Sequence, residues 1–176
     1  MKKLSAAVLA LCLLFSAALA ESPVVVNWAD TFEPAIAAAN VEGQFWTLNQ
    51  VAVKFWLPAM LQSVELSDED VANGYLAYFA DEKGEAAVAV TYANAEGASV
   101  EEYADYLKTA DGVAEVELCV VNGLPAVTYK MPGNDSANIT FATQAGYLLE
   151  ITMAPLSVEN ADMVWGAVAA SIQAAE

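Results

Sequence analysis

The alternation of apolar and polar residues along the chain predicts many short strands and three helices. Strands are expected where aromatic and β-branched residues cluster between turn residues. The extended stretches are 24–28, 43–48, 51–57, 74–80, 86–92, 116–121, 124–131, 138–143 and 147–153. The strongest hairpin signal is Asn122-Gly123, because both positions of a type I′ turn need a positive φ.

Helical spacing of apolar residues predicts a weak helix over 31–40, a central helix after Ser99 and a final helix that Ser157 caps. Ser99 and Glu102 have the spacing of a capping box, in which each side chain accepts a free backbone N–H of the other residue. A helix cap or turn is also expected over 67–70. The apolar stripe of the final helix is Val158, Ala161, Val164, Trp165, Val168 and Ile172. We expect this stripe to pack in the core.

The beginning of the chain has the pattern of a secretory signal peptide. Lys2 and Lys3 precede an apolar core over 4–15 that is too short to span a bilayer. Ala18 and Ala20 are small residues placed for cleavage. The sequence therefore predicts export, to the periplasm or to the outside of the cell.

We interpret 1–20 as the signal peptide and 21–176 as a single α+β domain, in which 21–42 is an N-terminal segment with a short helix. No later stretch is apolar for long enough to predict stable membrane insertion of the mature chain. Cys119 is the one cysteine of that mature chain. Packing, and not an internal disulfide, must therefore stabilise the domain in an oxidising compartment.

Acidic residues outnumber basic residues by 23 to 6, which gives a formal net charge of −17. All acidic residues lie beyond Ala20, whereas Lys2 and Lys3 belong to the predicted signal, so the mature chain carries −19. A surface of this sign repels phosphate groups, and nucleic acids and anionic membranes are therefore poor partners. Cations, basic proteins and neutral glycans remain allowed.

The sequence contains no histidine and no arginine. A Ser-His-Asp triad, a Cys-His pair and a histidine metal ligand are therefore excluded, as are bidentate arginine clamps on phosphate. Two carboxylates acting as a glycosidase remain allowed by residue type, although such enzymes usually need a larger cleft. We predict that the protein is not an enzyme and uses no cofactor.

Two further candidates for chemistry have simpler interpretations. Cys119 lies on a predicted strand near Glu117, which does not activate a thiol, so we expect a half-buried apolar side chain. The acidic cluster over 65–70 has a faint likeness to a calcium loop, but the twelfth position from Asp68 is Phe79 and not a bidentate glutamate. A solvated, helix-capping cluster is favoured, and no metal site is predicted.

Two aromatic pairs, Phe45-Trp46 and Phe55-Trp56, lie in predicted strands. Successive strand residues point to opposite faces, so one aromatic residue of each pair leaves the core whichever face is buried. Trp46 and Trp56 are the candidate ligand-binding residues, since two cross-strand neighbours would form a flat platform for a glycan ring or a protein. Alternatively, the N-terminal helix covers that face and Trp28 holds it in place.

The order of strands, central helix, four-strand meander and closing helix is an α+β plan, an antiparallel β-sheet with helices packed on it. The segment 120–126, Val-Val-Asn-Gly-Leu-Pro-Ala, is similar to a glycine-x-proline-alanine hairpin of bacterial members of the PsbP-like superfamily. From about 43 to 174, the chain resembles that superfamily of small exported bacterial proteins, which also includes the Mog-type factors. The resemblance implies a PsbP-like fold and a role in binding or assembly.

From these observations we expect an exported, non-enzymatic binding or assembly module for a protein or glycan partner. One alternative is a carboxylate-based hydrolase, which a buried pair of acidic residues facing one cleft would favour. Another alternative is a plain structural or cation-buffering exported protein. A fully covered sheet and evenly scattered charge would favour that last interpretation.

Overall fold

The computed structural model describes residues 23–93, 95, 97–157 and 160–175. The predicted signal peptide and Val158 of the predicted final helix lie outside the described residues. The strands are β1 (Val24–Val26), β2 (Gly43–Leu48), β3 (Val53–Pro58), β4 (Gln62–Val64), β5 (Tyr75–Ala80), β6 (Ala87–Tyr92), β7 (Ala114–Val121), β8 (Leu124–Met131), β9 (Ser136–Ala142), β10 (Leu148–Ala154) and β11 (Gln173–Ala174). The helices are α1 (Trp28–Thr31), α2 (Glu33–Ala39), α3 (Asp68–Ala72), α4 (Val100–Leu107) and α5 (Ala161–Ala170).

Within the described part of the chain, eight strands form one large sheet in the order β1-β7-β8-β9-β10-β6-β5-β4. Neighbouring strands run antiparallel, except that β1 runs parallel to β7. The predicted hairpin of β7 and β8 turns at Asn122 and Gly123, with φ of 47° and 84°, as the I′ turn requires. The predicted α+β class, an antiparallel sheet with helices packed on it, is confirmed.

The hairpin of β2 and β3 lies outside the large sheet. Together with β11 it forms a small antiparallel sheet in the order β11-β3-β2. The rings of Trp46 and Phe55 pack against Phe79 of β5, with centroids 5.1 and 6.0 Å apart. The hairpin therefore stacks on a face of the large sheet. The sequence pattern does not reveal this separation, nor the very short strands β4 and β11.

Serine residues cap the two helices that begin in acidic sequence. The Ser67 hydroxyl accepts the backbone N–H of Asp70, and the Ser99 hydroxyl accepts that of Glu102, each at 3.2 Å. Both acidic side chains accept the serine N–H in return, which completes two capping boxes. The predicted caps of α3 and α4 are confirmed. None of the helices in the described ranges is long and apolar enough to cross a membrane.

The predicted serine cap of the final helix is wrong. Helix α5 begins at Ala161, and its N-cap position is Asn160, whose backbone is left-handed with φ 60°. The Ser157 hydroxyl instead donates to the Asp135 carboxylate at 2.7 Å, which removes it from the helix end. Ile172 lies beyond the last helical residue but is fully buried, as the apolar stripe predicts.

The large sheet separates two apolar clusters. The larger cluster lies on what we call the core face, under the small sheet and α5. Its fully buried side chains include Phe55, Phe79, Ile139, Phe141, Ile151, Met153 and Trp165. The smaller cluster lies on the opposite or outer face, where Tyr103 and Leu107 of α4 pack against Val127 and Tyr129. Helix α4 packs over β7, β8 and β9.

The side chain of Asn122 joins three parts of the chain. Its Oδ1 accepts the backbone N–H of Trp28 at 2.8 Å, and its Nδ2 donates to the carbonyls of Ala170 and Ile172, both at 2.8 Å. The backbone N–H of Asn122 donates to the Val26 carbonyl at 2.9 Å. The turn between β7 and β8 therefore holds the start of α1 and the end of α5 together.

We predict that Asn122→Ala lowers the free energy of unfolding by about 3–5 kcal/mol. Three side-chain hydrogen bonds contribute about 1 kcal/mol each. Alanine in the left-handed backbone of this residue costs about 1–2 kcal/mol more. The matched control is Asn40→Ala, because Asn40 has a similar φ of 54° at the exposed end of α2. Urea unfolding should show a much smaller loss for the control, and equal losses would contradict the role of the Asn122 side chain.

Gly43 begins β2 at a place with no room for a side chain. A Cβ atom there would clash with the ring of Trp56 and the backbone oxygen of Leu57. We predict that Gly43→Ala destabilises the protein by about 1–3 kcal/mol through overpacking. The control Gly133→Ala should change stability by less than about 0.5 kcal/mol, since nothing lies within 4 Å of its added Cβ. Thermal unfolding checks both, and equal melting temperatures would refute the clash.

Candidate functional site

The two candidate tryptophans lie on opposite faces of the β2–β3 hairpin. Phe45 pairs with Trp56, and Trp46 pairs with Phe55. The pairing of β2 with β3 would have to shift by one residue to place Trp46 opposite Trp56. Because it does not, the two tryptophan rings do not form a common platform. Trp56 is only 5% exposed, and Trp46 is half-buried. Ligand binding by either ring alone stays a prediction.

The alternative, in which the N-terminal helix covers one face of the hairpin, agrees with the structure. The ring centroid of Trp28 in α1 lies 5.8 Å from that of Phe45 and 5.9 Å from that of Trp56. Trp28 also stacks on Phe32 at 6.4 Å and is buried. Phe45 remains 43% exposed at the rim of this aromatic cluster. These rings therefore form a packing unit between α1 and the small sheet.

The interpretations of Cys119 and of the acidic cluster as structural features agree with the coordinates. Cys119 is buried, and this burial, with a smaller contribution from the charge of Glu117, raises the pKa of its thiol to about 12. Asp70 accepts hydrogen bonds from the hydroxyl and the N–H of Ser67, which lower the pKa of its carboxyl. In the described ranges, no three Asp, Glu, Cys or His side chains are grouped to hold a metal ion.

Part of the outer face of the large sheet lies beyond the strands on which α4 packs. We call the outer-face positions of β5, β6 and β10 the open half. They are Tyr75, Tyr78, Ala80, Ala87, Ala89, Thr91, Glu150, Thr152 and Ala154, and all are half-buried. Glu150 is the one charged residue among them, although the chain has 23 acidic residues. Solvent-facing sheet positions are usually polar, so this surface of alanine and tyrosine is a candidate contact surface.

Glu150 lies on β10, where the open half meets the part of the sheet under α4. Its Oε2 accepts the hydroxyls of Tyr129 and Thr140, the latter at 3.3 Å. Its Oε1 lies 3.4 Å from the Thr152 hydroxyl. That hydroxyl is only 2.8 Å from Oδ1 of Asn138, so its single proton is donated mainly to the amide. Neutral hydroxyl groups therefore hold the carboxylate in place.

Two tyrosines beside Glu150 are kept protonated by their surroundings. Burial first, and the charge of Glu150 second, raise the pKa of the Tyr129 phenol well above its ordinary value. The same two causes, in the same order, raise the pKa of Tyr103 in α4. Both phenols therefore keep their protons to a higher pH than an ordinary tyrosine does, and they offer Glu150 neutral O–H donors.

Glu150, Tyr129, Asn138, Thr140 and Thr152 form a group of hydrogen-bonded polar residues that we call the Glu150 cluster. Sequence reasoning missed this cluster, although part of its signal is visible in the sequence. Asn138 and Thr140 of β9, and Glu150 and Thr152 of β10, are polar residues at alternate positions between core residues. Alternation places each pair on one face of its strand. Tyr129 joins them only because β8 pairs with β9 in a register that sets it opposite Asn138. One strand taken alone does not contain that register.

No family model and no curated protein matches the chain. Among solved structures, it is similar to the solution structure of cyanobacterial PsbP (CyanoP) from Synechocystis sp. PCC 6803, with a TM-score of 0.54 and 13% identity over 76% of this chain and 93% of that one. It is also similar to a crystal structure from Bacteroides thetaiotaomicron VPI-5482, with a TM-score of 0.45 and 13% identity over 76% of this chain and 49% of that one. The first likeness confirms the predicted PsbP-like fold.

We predict that the protein loses stability as the pH rises above about 9. The ordinary pKa values are 9.0 for the Cys119 thiol and 10.0 for the Tyr129 phenol, and folding raises both. The folded state therefore keeps protons that the unfolded state releases. Their contribution is complete below pH 9.0, and each group then removes about 1.4 kcal/mol per pH unit until its folded pKa is reached.

Urea unfolding between about pH 8 and about pH 11 measures this loss. Cys119→Ala should reduce the fall in the free energy of unfolding from about pH 9, and Tyr129→Phe should reduce this fall above about pH 10. Tyr106→Phe is the control, since that side chain is 64% exposed and should leave the curve unchanged. The same pH dependence in all four proteins would show that the buried groups do not cause it.

Proposed function

We propose that the chain is an exported, non-enzymatic binding module, of the Mog-type PsbP-like superfamily, whose partner is a protein that docks on the open half. The observation that carries this proposal is the composition of that surface, half-buried alanine, tyrosine and threonine side chains around one carboxylate. Contiguous apolar faces mark interaction sites on soluble proteins. Tyrosine is also enriched where proteins meet.

The alternatives fit this geometry less well. A glycosidase uses two carboxylates that face one cleft, whereas Glu150 is the one carboxylate among the positions of the open half. A fully covered sheet would favour a plain structural or cation-buffering role, whereas α4 packs over β7, β8 and β9 and the open half lies beyond these strands. A glycan would need many polar groups for its hydroxyls, whereas four of the nine positions of the open half are alanines.

The test is capture of a partner by the immobilised protein from the secreted and envelope fractions of its source, with identification by mass spectrometry. Ala89→Glu places a long charged side chain in the middle of the open half. We expect it to lower the affinity for the identified protein about tenfold or more. The control Thr47→Glu adds the same charge at an exposed position of β2 and should keep wild-type affinity.

A second variant shows whether weaker binding by Ala89→Glu reflects the loss of the contact surface or misfolding of that variant. Tyr78→Ala removes an aromatic ring from the open half without adding charge, and it should also weaken capture while thermal unfolding stays cooperative. A partner whose binding is lost with Thr47→Glu but kept with Ala89→Glu and Tyr78→Ala would overturn the proposed docking surface. Glycan-array binding that depends on the open half, in place of protein capture, would overturn the protein partner.

A further inference from the structure

Glu150 is the only charged member of a row of outer-face residues that crosses the large sheet. Strand pairing sets the row as Leu118, Val127, Thr140, Glu150, Thr91 and Tyr75. The residues on the α4 side of Glu150 are covered or buried, whereas Thr91 and Tyr75 belong to the open half. Anything that docks on the open half therefore meets this carboxylate at the edge of its contact area.

The carboxylate has room for another donor. A carboxylate group offers about four acceptor positions. On Oε2, two are taken by Tyr129 and Thr140. On Oε1, the contact with Thr152 is long, at 3.4 Å, and the proton of that hydroxyl is directed to Asn138. The phenol of Tyr103 also hydrogen-bonds Glu150, which leaves about one acceptor position for a docked partner.

Neither the contacts of Glu150 nor the nearby tyrosines supply a positive charge. In the described ranges, Lys83, Lys108 and Lys130 form ion pairs with Glu85, Asp105 and Glu115. A protein partner that covered Glu150 without an opposite charge would leave a desolvated carboxylate with no compensating positive charge, which is unfavourable. A cationic side chain of the partner would remove that cost. The net negative charge of the chain also attracts such a partner over longer distances.

On the basis of the proposed function, we infer that the docking protein presents an arginine side chain to Glu150. A guanidinium group donates in a planar fork that matches a carboxylate, and it stacks on aromatic rings more readily than an ammonium group does. Tyr75 lies in the same row as Glu150 on the open half, and Tyr103 of α4 lies beside Glu150. The site therefore has a carboxylate acceptor with tyrosine rings nearby, and these surroundings suit an arginine side chain.

The probe is a blocked tetra-arginine peptide, titrated into the isotope-labelled protein and followed by backbone amide shifts. We expect the largest shifts at Glu150, Thr91 and Thr140. Glu150→Gln keeps an acceptor for Tyr129 but removes the charge, and it should weaken binding about tenfold or more. The control Glu101→Gln removes the same charge from an exposed position of α4 and should weaken binding less than about twofold.

Thr91→Lys is a second variant, which sets an internal positive charge next to an intact Glu150 and should also block the peptide. Equal affinity for Glu150→Gln and Glu101→Gln, or shifts centred on 67–70, would overturn the site. Tetra-lysine should bind more weakly than tetra-arginine, and equal affinities would overturn the preference for arginine. A tetra-glutamate peptide should cause no shifts, and matching shifts would overturn the electrostatic basis.

Capture experiments separate this inference from the proposed function. Glu150→Gln should release the same identified protein that Ala89→Glu releases. Loss of that protein with Ala89→Glu but not with Glu150→Gln would leave the docking surface standing and overturn the arginine contact. Retention with both variants would overturn both.

Discussion

The hydrogen bonds of Asn122 hold together the elements that cover the core face of the large sheet. They connect residues 94, 48 and 50 positions apart, at Trp28, Ala170 and Ile172. Trp28 covers the Trp56 face of the small sheet. The end of α5 adds a contact of its own, because the Ser171 hydroxyl accepts the backbone N–H of Trp56 at 2.7 Å. The cover of the core face therefore depends on one side chain in a two-residue turn.

This closure explains why the two faces of the large sheet differ. On the core face, the small sheet and α5 leave residues such as Phe79 and Ile151 at 1% and 0% exposure. On the outer face, the eight-residue helix α4 is too short to cover eight strands, which lie about 4.7–4.9 Å apart. The open half is thus a geometric consequence of sheet width and helix length, and its single charged residue, Glu150, suits it to a partner.

Local signals in the sequence predicted the elements well. The turn at Asn122-Gly123 and the capping box of Ser99 involve neighbouring residues, so one short segment contains all the information. Predictions that needed pairing between distant strands were weaker. Trp46 and Trp56 looked like partners, but a one-residue difference in register put them on opposite faces. The Glu150 cluster joins three strands and needs two registers at once.

Helix α5 also shows that local sequence patterns do not predict tertiary contacts. Its apolar stripe was predicted from spacing, and the buried Trp165 and Ile172 agree with that pattern. Its cap was predicted at Ser157, but the hydroxyl of that residue pairs with Asp135, 22 positions away. A tertiary contact thus replaced the local one, and no pattern near Ser157 indicates it.

Photo-crosslinking in the source cells, from a benzoylphenylalanine placed at Ala89 and compared with the same residue at Thr47, asks whether a partner protein contacts the open half. We expect a crosslink from position 89 to one identified protein, at a peptide that contains an arginine, and no such product from position 47. Crosslinks of equal yield from both positions, or a crosslink from position 89 only to other residues of this chain, would contradict a partner surface on the outer face.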